Sequence, residues 1–182
     1  MRSELSMLVL LLALVSGRAS AEPPVHIPDP GLKAAIEDEL QVSDPTPTDM
    51  LGLVSLEAQS LKITDLTGLE YAANLQTVRL RFNHISDVYP LGGLSNLDSL
   101  SLNDNDVGDV SPLGGLTRLT LLDLHNNEIS DISALSSLVN VWSLALRENP
   151  LSDISPLSSM PRLAHLSLMK TRVSDISPLA NM

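Results

Sequence analysis

The 182-residue chain contains no cysteine. No disulfide framework can hold it, and stability must come from packing. Aromatic residues are almost as scarce: Phe82, Tyr71, Tyr89 and Trp142 are all there are. Base-stacking modules need aromatics beside basic patches. Here 11 basic residues face 22 acidic ones, a net charge of −11. Such a balance repels nucleic acid and anionic lipid at long range. Four scattered histidines without cysteine do not make a zinc site. There is no Walker loop and no dinucleotide fingerprint, so no cofactor is implied. Long apolar runs are missing too. The apolar stretch from Met7 to Val15 is too short to span a bilayer.

That stretch has another use. Arg2 precedes it, although Glu4 weakens the positive start. Gly17 breaks it, and Ala19-Ser20-Ala21 offers small residues for cleavage. Residues 1–21 therefore read as a secretory signal peptide cut before Glu22. The competing reading is an N-terminal anchor that stays. Without Arg2, Arg18 and Glu4 the rest carries 9 basic and 21 acidic residues, net −12. After cleavage no membrane insertion is expected, and the chain is expected to be monomeric.

What the chain has in excess is leucine, 37 residues of it. Their spacing is regular. One segment reads Leu97-x-x-Leu100-x-Leu102-x-x-Asn105-x-Val107-x-Asp109-Val110-x-Pro112-Leu113-x-x-Leu116. Shifted by 22 residues it recurs from Leu75, Leu119, Val141 and Leu163. The last copy replaces the asparagine with Thr171. An imperfect first copy begins at Leu53, with Ala58 and Leu61 where leucine and asparagine are expected.

The pattern L-x-x-L-x-L-x-x-N at this period marks a leucine-rich repeat. With a return segment of the form Ile-Ser-Asp-Ile-Ser-Pro-Leu, in which Ala134 replaces the proline in 129–135 and Val173 the first isoleucine in 173–179, the unit resembles the internalin type of bacterial leucine-rich repeat. The resemblance covers residues 53–182. It implies an α/β class: a right-handed solenoid with a parallel sheet on the concave face and short 3₁₀ turns on the convex face. It also implies an exported or cell-surface protein without enzymatic activity, which recognises another macromolecule, in particular a protein.

The physics agrees. Alternation puts the leucines of Leu-x-Leu on one face of a short strand. One repeat cannot bury that face alone, so neighbours stack it into a continuous core. The asparagines are expected to satisfy backbone groups in the turn. Ser111-Pro112, Ser155-Pro156 and Ser177-Pro178 suggest an N-cap serine followed by a first-turn proline. The aspartates at 65, 87, 109, 131, 153 and 175 form a column that could hold Ca²⁺. One carboxylate per repeat is too few, and hydrogen bonding within each turn is the better reading.

Residues 22–52 follow other rules. Asp29-Pro30 starts a helix, and Leu32, Ile36 and Leu40 give it one apolar face. Thr46-Pro47-Thr48-Asp49 has the form of a capping box for a second helix. Together they form an N-terminal cap over the leucine core. The last repeat stops two residues short at Met182, without such a cover, which reads as a fragment of something longer.

Function is expected between the leucines. The outward positions form three columns. The first is Ser55, Thr77, Ser99, Leu121, Ser143 and His165. The second is Glu57, Arg79, Ser101, Asp123, Ala145 and Ser167. The third is Gln59, Arg81, Asn103, His125, Arg147 and Met169. At about 4.8 Å per strand, six strands make a ribbon about 24–29 Å long, suited to a protein segment. Arg79, Arg81 and Arg147 stand out on an acidic chain, and arginine is enriched at binding hot spots. Arg79 could simply pair with Glu57. Trp142 lies just before its strand, between the small Thr120 and Ala164. Asp123 and His125 share the face, but no nucleophile completes a triad, and His165 is about 10 Å away. The candidate partner site is therefore Arg79, Arg81, Asp123, His125, Trp142 and Arg147. Two alternatives remain open. The chain could be a targeting or structural arm of a larger secreted protein, one with catalytic domains included. It could also be an intracellular regulator of the kind found beside phosphatases, which the signal peptide argues against.

Overall fold

The structure is a computed structural model that describes residues 22–180. The signal peptide expected at 1–21 lies outside the described residues. Helix α1 spans Pro30–Leu40, and α2 spans Pro47–Met50. Six three-residue strands follow: β1 Ser55–Glu57, β2 Thr77–Arg79, β3 Ser99–Ser101, β4 Leu121–Asp123, β5 Ser143–Ala145 and β6 His165–Ser167. They form one parallel sheet in sequence order. Each strand is followed by a 3₁₀ turn, from Leu69–Tyr71 in the first repeat to Ser177–Leu179 in the last.

The register repeats every 22 residues. Leu56 pairs with Val78, Val78 with Leu100, Leu100 with Leu122, and so on to Leu166. The repeat pattern thus becomes stacked layers. Leu75, Val78, Leu80, Ile85, Leu91 and Leu94 of the second repeat are all fully buried. Burial of each such side chain contributes about 1.5–3 kcal/mol. The expected leucine core is present as one continuous column.

Turning the chain away from the strand needs an unusual backbone. Ser60, Phe82, Asp104, Asn126, Glu148 and Lys170 all adopt left-handed conformations, with φ between 53° and 59°. Such a conformation costs about 1–2 kcal/mol for most L-residues. The next residue from the second repeat to the fifth is an asparagine that locks the turn. Asn105 accepts at Oδ1 from Ile85 N (3.0 Å) and donates at Nδ2 to Leu80 O (3.0 Å) and Leu102 O (2.9 Å). Asn83, Asn127 and Asn149 repeat this bridge to the previous layer. These are buried polar groups with satisfied partners, which is what a buried amide requires. Thr171 only donates to Leu168 O, so the ladder stops in the last repeat.

A second asparagine ladder runs along the other edge of the strands. Asn74, Asn96 and Asn140 donate to Leu51 O, Ala73 O and Thr117 O of the preceding layer, at 2.8–2.9 Å. Arg118 breaks this series and instead donates to Asn96 Oδ1.

The aspartate column caps the 3₁₀ turns. Each Oδ1 accepts from the backbone N–H two residues on: Thr67, Tyr89, Ser111, Ser133, Ser155 and Ser177, all at 2.8 Å. This corrects the expected serine caps. Ser111, Ser155 and Ser177 are the first residues of their turns, and Val110, Ile154 and Ile176 stand at the cap without a side-chain bond. The aspartate reaches the turn from two residues upstream, so the serine is free to occupy the position before proline.

The cap forms as the sequence implies. Thr46 and Asp49 make a reciprocal capping box on α2. Asp29 caps α1 through Gly31 N and Leu32 N. Its other oxygen accepts from Thr64 N at 2.9 Å and Thr64 Oγ1 at 3.4 Å. One buried carboxylate therefore joins the helix to the first repeat. Burial works against its charge, but four backbone N–H groups hold its pKa below the ordinary carboxylate value. At the other end Leu163, Leu166, Leu168 and Leu179 are only partly buried, and Ile176 is 67% exposed. Among the described residues no further layer covers them.

Candidate functional site

The strand pairing builds the outward columns in the order the repeats dictate. Ser55, Thr77, Ser99, Leu121, Ser143 and His165 are successive partners, as are Glu57, Arg79, Ser101, Asp123, Ala145 and Ser167. The third column continues the ladder past the strands, with Phe82 N donating to Asn103 O and Asn126 N to Arg147 O.

Charge on this face is unevenly committed. Arg79 is ion-paired with Glu57, one layer back. Arg81 donates to Gln59 in the same way. Both are exposed pairs, which contribute little to stability. His125 lies between two carboxylates, with Nδ1 2.7 Å from Asp123 Oδ1 and Nε2 3.3 Å from Asp104 Oδ2. Burial opposes the Asp104 charge. Hydrogen bonds from Asn126 and Asn103, with attraction to His125 and Arg147, more than offset it and lower the Asp104 pKa. Arg147 is half-buried and makes no ion pair among the described residues.

Trp142 is 43% exposed. Its backbone bonds to Thr120 O and receives Ala164 N, so the small neighbours expected beside it are there. Its ring meets His165 edge-on, with centroids 5.2 Å apart. Next to this pair a shallow depression of about 320 Å³ runs over Ser143, Ala145, Ala164 and Ser167. Leu121 and Met169 are also exposed. The six candidate residues thus fall into three groups. Arg79 and Arg81 are bonded to Glu57 and Gln59 of the first repeat, Asp123 and His125 form a central charged cluster, and Trp142 and Arg147 flank β5.

Sequence reasoning passed over Phe82. It is 53% exposed and left-handed. A bulky aromatic is a poor choice for that conformation, and five other repeats use Ser, Asp, Asn, Glu or Lys there. Its departure from the column was the available signal. Among the described residues no group of three or more acidic or histidine side chains is arranged to hold a metal ion.

A family model for leucine-rich repeats, in two copies, matches residues 95–137. A comparison with curated proteins found no match. Among solved structures, internalin C2 of Listeria monocytogenes is 31% identical over 88% of this chain and 94% of that one, with a TM-score of 0.57. The chain belongs to the internalin family. A second internalin of that organism, InlF, is 34% identical over 90% of this chain, with a TM-score of 0.84. This internalin spans half the length of InlF. The functional domain of Listeria InlJ, described as including a cysteine ladder, shares the fold at 23% identity, 85% coverage of this chain, 35% of that one and a TM-score of 0.73. This internalin has no cysteine, and asparagines run through its own turns. Its fold is that of a bacterial protein-interaction module. No helix among the described residues is long and apolar enough to cross a membrane.

Proposed function

We propose that this internalin is an exported, non-catalytic recognition protein that binds another protein through its strand face. The observation that carries the reading is the exposed Trp142–His165 pair together with Arg147, two residues beyond the end of β5, which makes no ion pair among the described residues. Tryptophan and arginine are the residue types most often found at binding hot spots. The residues beside the pair, Ser143, Ala145, Ala164 and Ser167, are short. Arg81 and the strained Phe82 extend the surface to β2, and the Asp123–His125–Asp104 cluster lies between as a polar centre. Electrostatic complementarity there would set orientation and on-rate. Export rests on the apolar run and small-residue site in residues 1–21.

The test is site-specific crosslinking of the full chain. Benzoylphenylalanine in place of Met169 should capture one partner protein. The same group in place of Ser152, in a return segment, should not. Equal capture from both positions would refute a strand-face site. Cell fractionation with an antibody to the chain tests export separately.

A further inference from the structure

The six convex turns are built to one plan, and two features depart from it. The residue that opens each turn's hydrogen bond to aspartate is Thr67, Ser111, Ser133, Ser155 or Ser177, but in the second repeat it is Tyr89. Tyr89 is 78% exposed. Near the end of each turn, Ser136-Ser137 and Ser158-Ser159 correspond to Gly92-Gly93 and Gly114-Gly115. At Ser137 the hydroxyl donates to Gly114 O of the preceding turn at 2.6 Å. The scaffold can therefore use a serine at this position, and two repeats forgo it.

Packing explains only part of this. A Cβ on Gly92 would lie 3.0 Å from Pro112 O, so a side chain there is crowded. A Cβ on Gly93 would meet nothing within 4 Å, and on Gly115 only Gly92 O at 3.6 Å. Neither has a left-handed backbone. Gly92 and Gly93 line a groove of about 600 Å³, bounded also by Glu70, Asp87, Tyr89, Pro90 and Pro112, and Gly115 lies next to Gly92. Its apolar wall is Tyr89 with the two prolines. Its charged groups are both acidic. Glu70 Oε2 accepts from Gly68 N and Asp87 Oδ1 from Tyr89 N, which leaves one oxygen of each carboxylate free for a ligand. No basic residue lines it.

We propose that this groove docks an extended, cationic segment of a partner protein, with an arginine side chain between the Tyr89 ring and the Glu70 and Asp87 carboxylates. The ring attracts the guanidinium through its face, and the carboxylates can take its N–H groups. Tyrosine and proline cover the apolar stem. An anionic ligand would be repelled, and a neutral sugar would leave two carboxylates without a cation. The site is on the opposite side of the solenoid from the strand face and stands independently of it.

The peptide acetyl-Gly-Pro-Arg-Pro-Gly-amide, titrated into the ¹⁵N-labelled full chain, tests this. Saturable amide shifts are expected at Tyr89, Gly92 and Gly93, and the citrulline version should bind about tenfold more weakly or worse. Tyr89→Ser and Gly93→Ser with Gly115→Ser only restore residues of the other turns, so the fold should survive and the shifts should vanish. The glycine pair decides the question should Tyr89→Ser fail to fold. Equal binding of arginine and citrulline peptides would overturn the proposal, as would full binding by the filled groove. Groove shifts with maltohexaose and none with the peptide would also overturn it.

Discussion

Inward and outward side chains alternate along every strand of this internalin, and they obey different rules. Inward, the same few residue types recur at each layer: leucine, isoleucine or valine in the core, and asparagine at the corner. Outward, one column runs from Ser55 through Leu121 to His165 with no chemical theme. Stacking forces the first set, because each inward residue must match the layer before and after it. The fold constrains the second set far less. A departure from the repeat inside is therefore a structural adjustment. A departure outside, as at Trp142, Phe82 or Tyr89, needs another explanation.

Breaking the inward set should have the largest effect. Asn127→Ala leaves Val107 N, Leu102 O and Leu124 O without their shared partner. Loss of about 3–5 kcal/mol is expected, read from the urea midpoint, because several buried backbone groups go unsatisfied at once. A loss below 1 kcal/mol would mean that water enters the turn and the ladder matters little.

Asp29→Ala should come next, with a loss of about 2–3 kcal/mol for a helix cap and a long-range bridge together. Hydrogen exchange should show it in α1 and at Thr64. The same carboxylate gives a pH dependence. Its folded pKa is depressed, so its contribution is complete above the ordinary aspartate value near about 4 and is lost as pH falls through the folded value. The parent should therefore lose stability in that acid window, and Asp29→Ala should lose less of it.

Phe82→Asn probes the outward set with the opposite sign. Relief of the left-handed strain should raise stability by about 0.5–1 kcal/mol in chemical denaturation, since asparagine tolerates that conformation. A fall would show that the ring packs on its neighbours and belongs to the scaffold.

The contrast also explains what could be read from the amino-acid sequence. Positions that repeat announce themselves, so the core, the corner asparagines, the aspartate-capped turns and the strand columns were all legible. Arg118 and Arg162 interrupt the second asparagine ladder, and its period is hidden. The serine caps were misplaced because Ser-Pro opens an α-helix and a 3₁₀ turn with different offsets. Asp29 bonds Thr64 across 35 residues, beyond any local pattern. At the strand face the sequence located Trp142 and Arg147 correctly on outward positions. It could not give the His165 contact or the Asp104 side of the His125 cluster, because both depend on how neighbouring layers orient their side chains.

The proposed division is that the outward columns recognise a partner and the inward ones only hold the fold. It is tested most directly by calorimetry of Arg81→Ala/Trp142→Ala/Arg147→Ala with the protein captured by crosslinking at position 169. A urea midpoint close to the parent's is expected, with an affinity lower by about 100-fold or more from a few lost hot-spot contacts. Unchanged affinity with an intact fold would contradict it.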